Sequence, residues 1–167
     1  MRFRALVALV ALLPASGMAA GPASWPWQFG MTPEQVTSFT ELGPYKRFKN
    51  GDVETYEAEF DGRKENVQFF FRENSLARIA VYLYEGKDIQ AAREVWIRAY
   101  ELLRATYGEV ELPDIHVAPK SDPVDATVLS IAAAANVEVE GKTQMAPAKQ
   151  PDDTLVFSSF SRHEFEG

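Results

Sequence analysis

The residues able to do chemistry are few and scattered. Two histidines are present, His116 and His163, far apart and outside any ligand motif with metal spacing. Asp114 and His116 share a face if their segment is extended, an arrangement that could hold a metal or exchange a proton. His163 and Glu164 are adjacent and so point apart. The run Ser158-Ser159-Phe160-Ser161 lacks the Gly-x-Ser-x-Gly elbow that exposes a nucleophilic serine, and it reads as ordinary sheet surface. Glu54, Glu57 and Glu59 lie along one strand-like run, and Asp152-Asp153 sit in a turn. Paired carboxylates can hydrolyse glycosides when a cleft holds them apart, but these are read as a solvated strand face. No glycine loop has phosphate-cradling spacing. The chain contains no cysteine, which removes disulfides, thiolate metal sites, cysteine nucleophiles and an acylated N-terminal anchor. The expectation is a non-catalytic protein without cofactor or metal.

The N-terminal residues carry an address. Arg2 and Arg4 precede an apolar stretch from Ala5 to Leu13, Pro14 breaks it, and Ser16, Gly17, Ala19 and Ala20 follow. A basic start, a short apolar core and small residues before a cut are the layout of a secretory signal peptide. Its core is too short to cross a bilayer as an anchor. Small residues one and three positions before the cut are met by Gly17 with Ala19, less well by Met18 with Ala20, and also by Gly21 with Ala23. Residues 1–20 are therefore expected to be a signal peptide, 21–29 an aromatic lead and 30–167 a single domain that is soluble in the periplasm or medium. Removing Arg2 and Arg4 moves the formal charge from −7 to −9. An acidic protein repels nucleic acid and anionic lipid at long range, so neither is an expected partner.

Local signals give the elements. Thr32-Pro33-Glu34-Gln35 is a capping box with proline at the first helical position, and Val36, Phe39 and Leu42 extend an apolar stripe to Gly43-Pro44. Met31 is placed to staple against Val36. Four strand-like runs follow: Tyr45–Lys49, Val53–Phe60, Glu65–Arg72 and Leu76–Tyr84. They are separated by Asn50-Gly51, read as a two-residue turn with both residues at positive φ, by Asp61-Gly62 and by Glu73-Asn74-Ser75. Lys46, Arg47 and Lys49 read as guards on an edge strand. Asp88 caps a helix running to Tyr107, with Ile89, Ala92, Trp96, Ala99, Leu103 and Tyr107 on its apolar stripe, Glu94 and Arg98 paired on its wet side, and Gly108 as its stop. Leu112–Pro123 reads as a loop. The spacing of Val124, Val128, Ile131, Ala132, Ala135 and Val139 predicts a second helix ending at Gly141, with a strand over Thr127–Val139 as the alternative. Gln144–Asp153 reads as a loop and Leu155–Phe165 as a final strand.

The fold class predicted is α+β. A four- to five-stranded antiparallel sheet carries a long helix on one face, in the order helix, four strands, two helices, strand. Val67, Phe69, Ile79, Val81 and Leu83 should receive that helix. The other face carries Phe70, Tyr82 and Tyr84, more aromatic than a wet sheet face needs to be. Either Trp25 and Trp27 fold over it, or it is a surface for a partner. Met145 packs on the core or touches a partner. The candidate partner-binding residues are thus Trp25, Trp27, Phe70, Tyr82, Tyr84 and Met145, and the partner expected is an envelope protein or peptide. Two other readings stay open: a small-ligand pocket lined by Phe70, Tyr82 and Trp96, and an envelope hydrolase using carboxylates or His116.

Phe29-Gly30-Met31-Thr32-Pro33-Glu34-Gln35-Val36 with Leu42-Gly43-Pro44 resembles the Gly-Met-Thr-x-x-x-Val…Leu-Gly-x-Pro opening of a group of exported bacterial domains. These are the small outer-membrane assembly lipoproteins and the β-lactamase inhibitory proteins. Val67-Gln68-Phe69-Phe70-Phe71 and Leu76-Ala77-Arg78-Ile79 are similar to that group's sheet hairpin. The resemblance covers about residues 29–84. It implies a small α+β module that works by binding other proteins. The lipid-acceptor cysteine is missing here, and one helix rather than two precedes four strands rather than three.

Overall fold

Thr32 opens the first helix in the way its neighbours demand. Its Oγ1 accepts from the Gln35 N–H at 3.3 Å, while its own N–H donates to Gln35 Oε1 at 2.9 Å. In the computed structural model, which describes residues 2–12, 25–111, 142–152 and 154–165, this capping box starts α1 (Pro33–Thr37). The helix is shorter than its apolar stripe suggests. The Thr37 hydroxyl donates to the Pro33 carbonyl at 2.9 Å and the Ser38 hydroxyl to that of Gln35 at 2.7 Å. Side-chain bonds of this kind compete with a continuing helix, and only a 3₁₀ turn, Thr40–Leu42, follows. Thr32→Ala should cost about 1 kcal/mol of stability, read as a lowered midpoint in urea at unchanged slope.

The protein is α+β, with a four-stranded antiparallel sheet, a second three-stranded sheet and a helix beside it. Its packing divides into two units. The meander unit comprises Leu9–Tyr82 and Gln150–Val156. Here β2 (Tyr45–Arg47), β3 (Val53–Phe60), β4 (Arg63–Arg72) and β5 (Ser75–Gly86, entering this unit as far as Tyr82) pair consecutively. Turns fall at Asp61-Gly62, as expected, and at Glu73-Asn74, one residue shorter than the expected Glu73-Asn74-Ser75 because Ser75 pairs with Arg72; all four residues take positive φ, and all but the freer Gly62 are non-glycine. The first hairpin differs. Phe48 and Asp52 are joined by a 2.8 Å backbone bond, the Gly51 N–H reaches the Phe48 carbonyl, and only Gly51 in this loop takes positive φ. Asn50 instead spends its side chain on Asp52.

A bulge in β3 decides which residues share a face. Thr55 pairs with Val67 but Ala58 with Glu65, so one extra residue enters between them. Val53, Thr55, Ala58 and Phe60 consequently line one buried face despite their broken alternation. That face is covered from within its own unit by the aromatic lead. Trp27 meets Phe69 edge-on at 4.6 Å, Trp25 meets Trp27 at 5.4 Å and Phe60 at 5.7 Å. The lead is pinned by Gly30 N–H to Leu76 O and Leu76 N–H to Met31 O, at 2.9 and 2.8 Å. One expectation is corrected here: the tryptophans pack on the Val67–Phe69 face and do not cover the Phe70 face. One sheet face cannot be reached from the other, and the lead's bonds to Leu76 fix its side.

The helical unit comprises Met1–Ala8, Leu83–Lys149 and Phe157–Gly167. Asp88 caps α2 (Ile89–Tyr107), accepting from Gln90 and Ala91 N–H at 2.9 and 3.1 Å, and Gly108 ends it at φ 88°. Ala92, Trp96, Ala99, Tyr100 and Leu103 form its buried stripe. The helix packs on β6 (Val110–Glu111) and β7 (Lys142–Pro147), and Trp96 meets Phe160 of β8 (Leu155–Phe165) at 6.0 Å. The predicted Gln144 loop is thus a strand up to Pro147, because β8 on one side and β6 on the other pair its backbone. The serine run is not sheet surface either. Ser158 and Ser159 are buried, opposite Met145 and Gln144. β1 (Arg2–Leu12) begins in this unit, which holds its residues up to Ala8. The expected helix or strand over 123–141, the loop with Asp114 and His116, and the cleavage region lie outside the described residues. No described helix is long and apolar enough to cross a membrane.

Candidate functional site

The remaining face of the meander is built from three cross-strand ladders. Glu54 stands opposite Gln68, and Gln68 opposite Ala80. Asn66 stands opposite Tyr82, and Phe70 opposite Arg78. Tyr56 shares this face with Glu54 by alternation, and the β3 bulge brings Glu57 to it as well. The Asn66 amide donates to the Tyr56 hydroxyl at 3.1 Å, and Lys64 pairs with Glu57. A sheet face with this alternation should be mostly wet. This one is graded instead, from a buried carboxylate to an exposed tyrosine.

Glu54 is only 3% exposed. Its Oε1 accepts from Lys46 Nζ at 2.9 Å and its Oε2 from Gln68 Nε2 at 3.1 Å. Lys46 reaches in from the edge strand while its own side chain stays 69% exposed. That hydrogen bond, and then the carboxylate's charge, raise the Lys46 ammonium above the ordinary lysine range. The expectation that Glu54 belongs to a solvated carboxylate row is corrected. It is a paired, buried charge, whereas Glu59 is exposed. Lys46 is likewise a partner to that charge as well as an edge lysine.

Beside this pair, the Arg78 guanidinium lies over the Phe70 ring at 3.6 Å from its centroid. Both residues are half-buried, and Arg78 Nε is buried without a hydrogen-bond acceptor among the described residues. Asn66 Oδ1 is in the same position. Tyr56 is 58% exposed. The face therefore offers two unsatisfied polar atoms next to partly exposed aromatic rings. Donor, acceptor and ring surface together suit an amide or carboxylate carried on an extended chain.

The six residues singled out in the sequence separate into three groups. Phe70 and Tyr82 do lie on this face, half-buried. Tyr84 is tied to the start of α2, its hydroxyl accepting from the Asp88 N–H and donating to the Asp88 carbonyl, both at 2.9 Å. Trp25 and Trp27 lie on the opposite face, with indole N–H groups bonded to the Glu59 and Val36 carbonyls. Met145 is fully buried in β7. Arg78, Asn66 and Tyr56 were missed. The signal for Arg78 was available: a lone arginine between Leu76 and Ala80 breaks an apolar strand. Tyr56 follows by alternation from Glu54, once Glu54 is paired with Gln68. No protein family, curated protein or solved structure matches this chain.

Proposed function

We propose that this is a non-catalytic, exported cell-envelope protein that binds a protein or peptide through the Phe70–Arg78 face. The observation that carries the reading is Arg78: a guanidinium over the Phe70 ring with its Nε buried and without an acceptor among the described residues. A buried donor without a partner costs free energy, and a partner carbonyl or carboxylate would recover it. Arginine and tyrosine are also the residues enriched where binding energy concentrates. The basic and apolar N-terminus supports export, with residues 1–20 as the leader and a soluble periplasmic or secreted product. The resemblance of residues 29–84 to exported binding domains supports the same class.

A photo-crosslinking residue at position 56 tests the proposal in cells. Adducts are expected from that position, and Arg78→Ala should cut their yield at least tenfold while leaving the melting temperature within a few degrees. Adduct yields unchanged by Arg78→Ala would overturn the reading. So would recovery of monomer alone.

A further inference from the structure

We infer that Asn50 is a site of spontaneous deamidation: the Gly51 nitrogen displaces its side-chain amide, and the new carboxylate releases the hold of Asp52 on Phe71. Connectivity sets the chemistry. An asparagine's amide carbon and the next backbone nitrogen can close a five-membered ring, and the following side chain is the usual obstruction. Of the four asparagines in the chain, Asn66, Asn74 and Asn136 precede Val67, Ser75 and Val137, whereas Asn50 precedes Gly51. Both residues of that pair are exposed in the loop between β2 and β3. Gly51 stands at φ 90°, and a Cβ built on it would meet nothing within 4 Å. Water therefore reaches the place where the ring would form.

The contacts of Asn50 bear on each bond. Its Oδ1 accepts from the Asp52 N–H at 3.2 Å. That oxygen gains negative charge when the nitrogen adds, so a donor already stands where the charge develops. The Gly51 N–H, held by the Phe48 carbonyl at 3.1 Å, must first come free and give its proton to hydroxide. The Gly51 nitrogen then bonds to Asn50 Cγ, the Cγ–Nδ2 bond breaks, and Nδ2 leaves as ammonia with a proton from water, which restores the hydroxide. A water molecule adds to either carbonyl of the cyclic imide and opens it to aspartate or isoaspartate.

The product alters the loop because of what Nδ2 holds. It donates to Asp52 Oδ2 at 2.7 Å, and Asp52 Oδ1 accepts from the Phe71 N–H at 3.1 Å. One carboxylate thus ties the hairpin loop to the position after Phe70, where the β4–β5 register shifts. With Nδ2 replaced by oxygen, two carboxylates face each other at hydrogen-bond separation and repel. Asp52 turns away, and the Phe71 N–H loses its acceptor.

The purified full chain is held folded in mildly alkaline buffer and sampled over weeks against a zero-time sample, beside a copy kept unfolded in guanidinium chloride. Trypsin cuts after Lys49 and Arg63 and releases residues 50–63, in which Asn50 carries the one side-chain amide. Residues 65–72, which include Asn66, serve as the internal control. The expected result is the mass gain of an amide turned acid in the first peptide of the folded sample. A second chromatographic peak should mark isoaspartate, and Asn66 should be unchanged. The product mimic Asn50→Asp should exchange its Phe71 amide about tenfold faster than the parent, as loss of a bond to a charged acceptor implies, with Val67 unaltered. Absence of the acid from the folded sample, with conversion confined to the unfolded copy, overturns the inference: the Phe48 and Asp52 bonds then shield the pair. A Phe71 amide that exchanges alike in parent and Asn50→Asp overturns it too.

Discussion

Trp27→Ala should destabilise the protein by about 3–5 kcal/mol, the range for emptying a buried aromatic site. The indole is almost fully buried, touches Phe69 and Trp25 edge-on, and donates its N–H to the Val36 carbonyl at 3.2 Å. The substitution opens a cavity against Phe69, and the Val36 carbonyl loses a side-chain donor at the end of α1. Trp27→Phe should recover most of the packing and none of the hydrogen bond, for a loss nearer 1–2 kcal/mol. Urea unfolding followed by far-ultraviolet circular dichroism checks both. A surface tryptophan serving only a partner would show the opposite pattern: lost binding with an unchanged midpoint. An Ala variant within 0.5 kcal/mol of the parent would remove Trp27 from the core.

The reach of sequence reasoning is set by the range of the forces involved. The Thr32 box and the Asp88 cap depend on neighbours within four residues, so they are visible in the chain itself. Asp61-Gly62 and Glu73-Asn74 are similarly local. The side of the sheet that receives Trp27 is not local. It is fixed by the Gly30 and Leu76 backbone bonds, which join positions 46 residues apart. The run Gln144–Pro147 has little strand propensity and carries a proline, and it becomes β7 because β8 pairs Gln144 and Met145 while β6 pairs Ala146 and Pro147. Proline is tolerated at its last position.

The β3 bulge explains why half of the site was legible. Alternation carries Glu54 and Tyr56 to one face and Thr55 and Glu57 to the other. Adding one residue after Thr55 keeps Ala58 and Phe60 with Val53 and moves Glu57 across to meet Lys64. Counting by twos from Val53 therefore succeeds up to Thr55 and fails beyond it. Phe70 and Tyr82, within the stretch Asn66–Phe70 where the β4–β5 count holds before its shift after Phe70, were found. Tyr56, bonded to Asn66 from β3, was not.

The second large effect concerns Glu54. Glu54→Ala should cost about 1–3 kcal/mol, because the half-buried Gln68 amide loses its acceptor and a cavity opens under the sheet. Lys46→Met should also destabilise, since it leaves the Glu54 carboxylate buried with Gln68 as its remaining side-chain donor. The double variant Lys46→Met with Glu54→Leu should be less damaging than the two single changes added together, because it removes both charges at once. The pairing also has a pH signature whose sign is fixed by Lys46. Its folded-state value lies above the ordinary 10.5, so the stabilisation is complete below pH 10.5 and drains away as pH rises through the raised value. Melting temperatures of the parent and Lys46→Met should therefore differ at pH 8 and draw together as pH rises through the raised Lys46 value. A gap that is constant across that range would mean that Lys46 acts through the packing of its hydrocarbon stem rather than through its charge on Glu54.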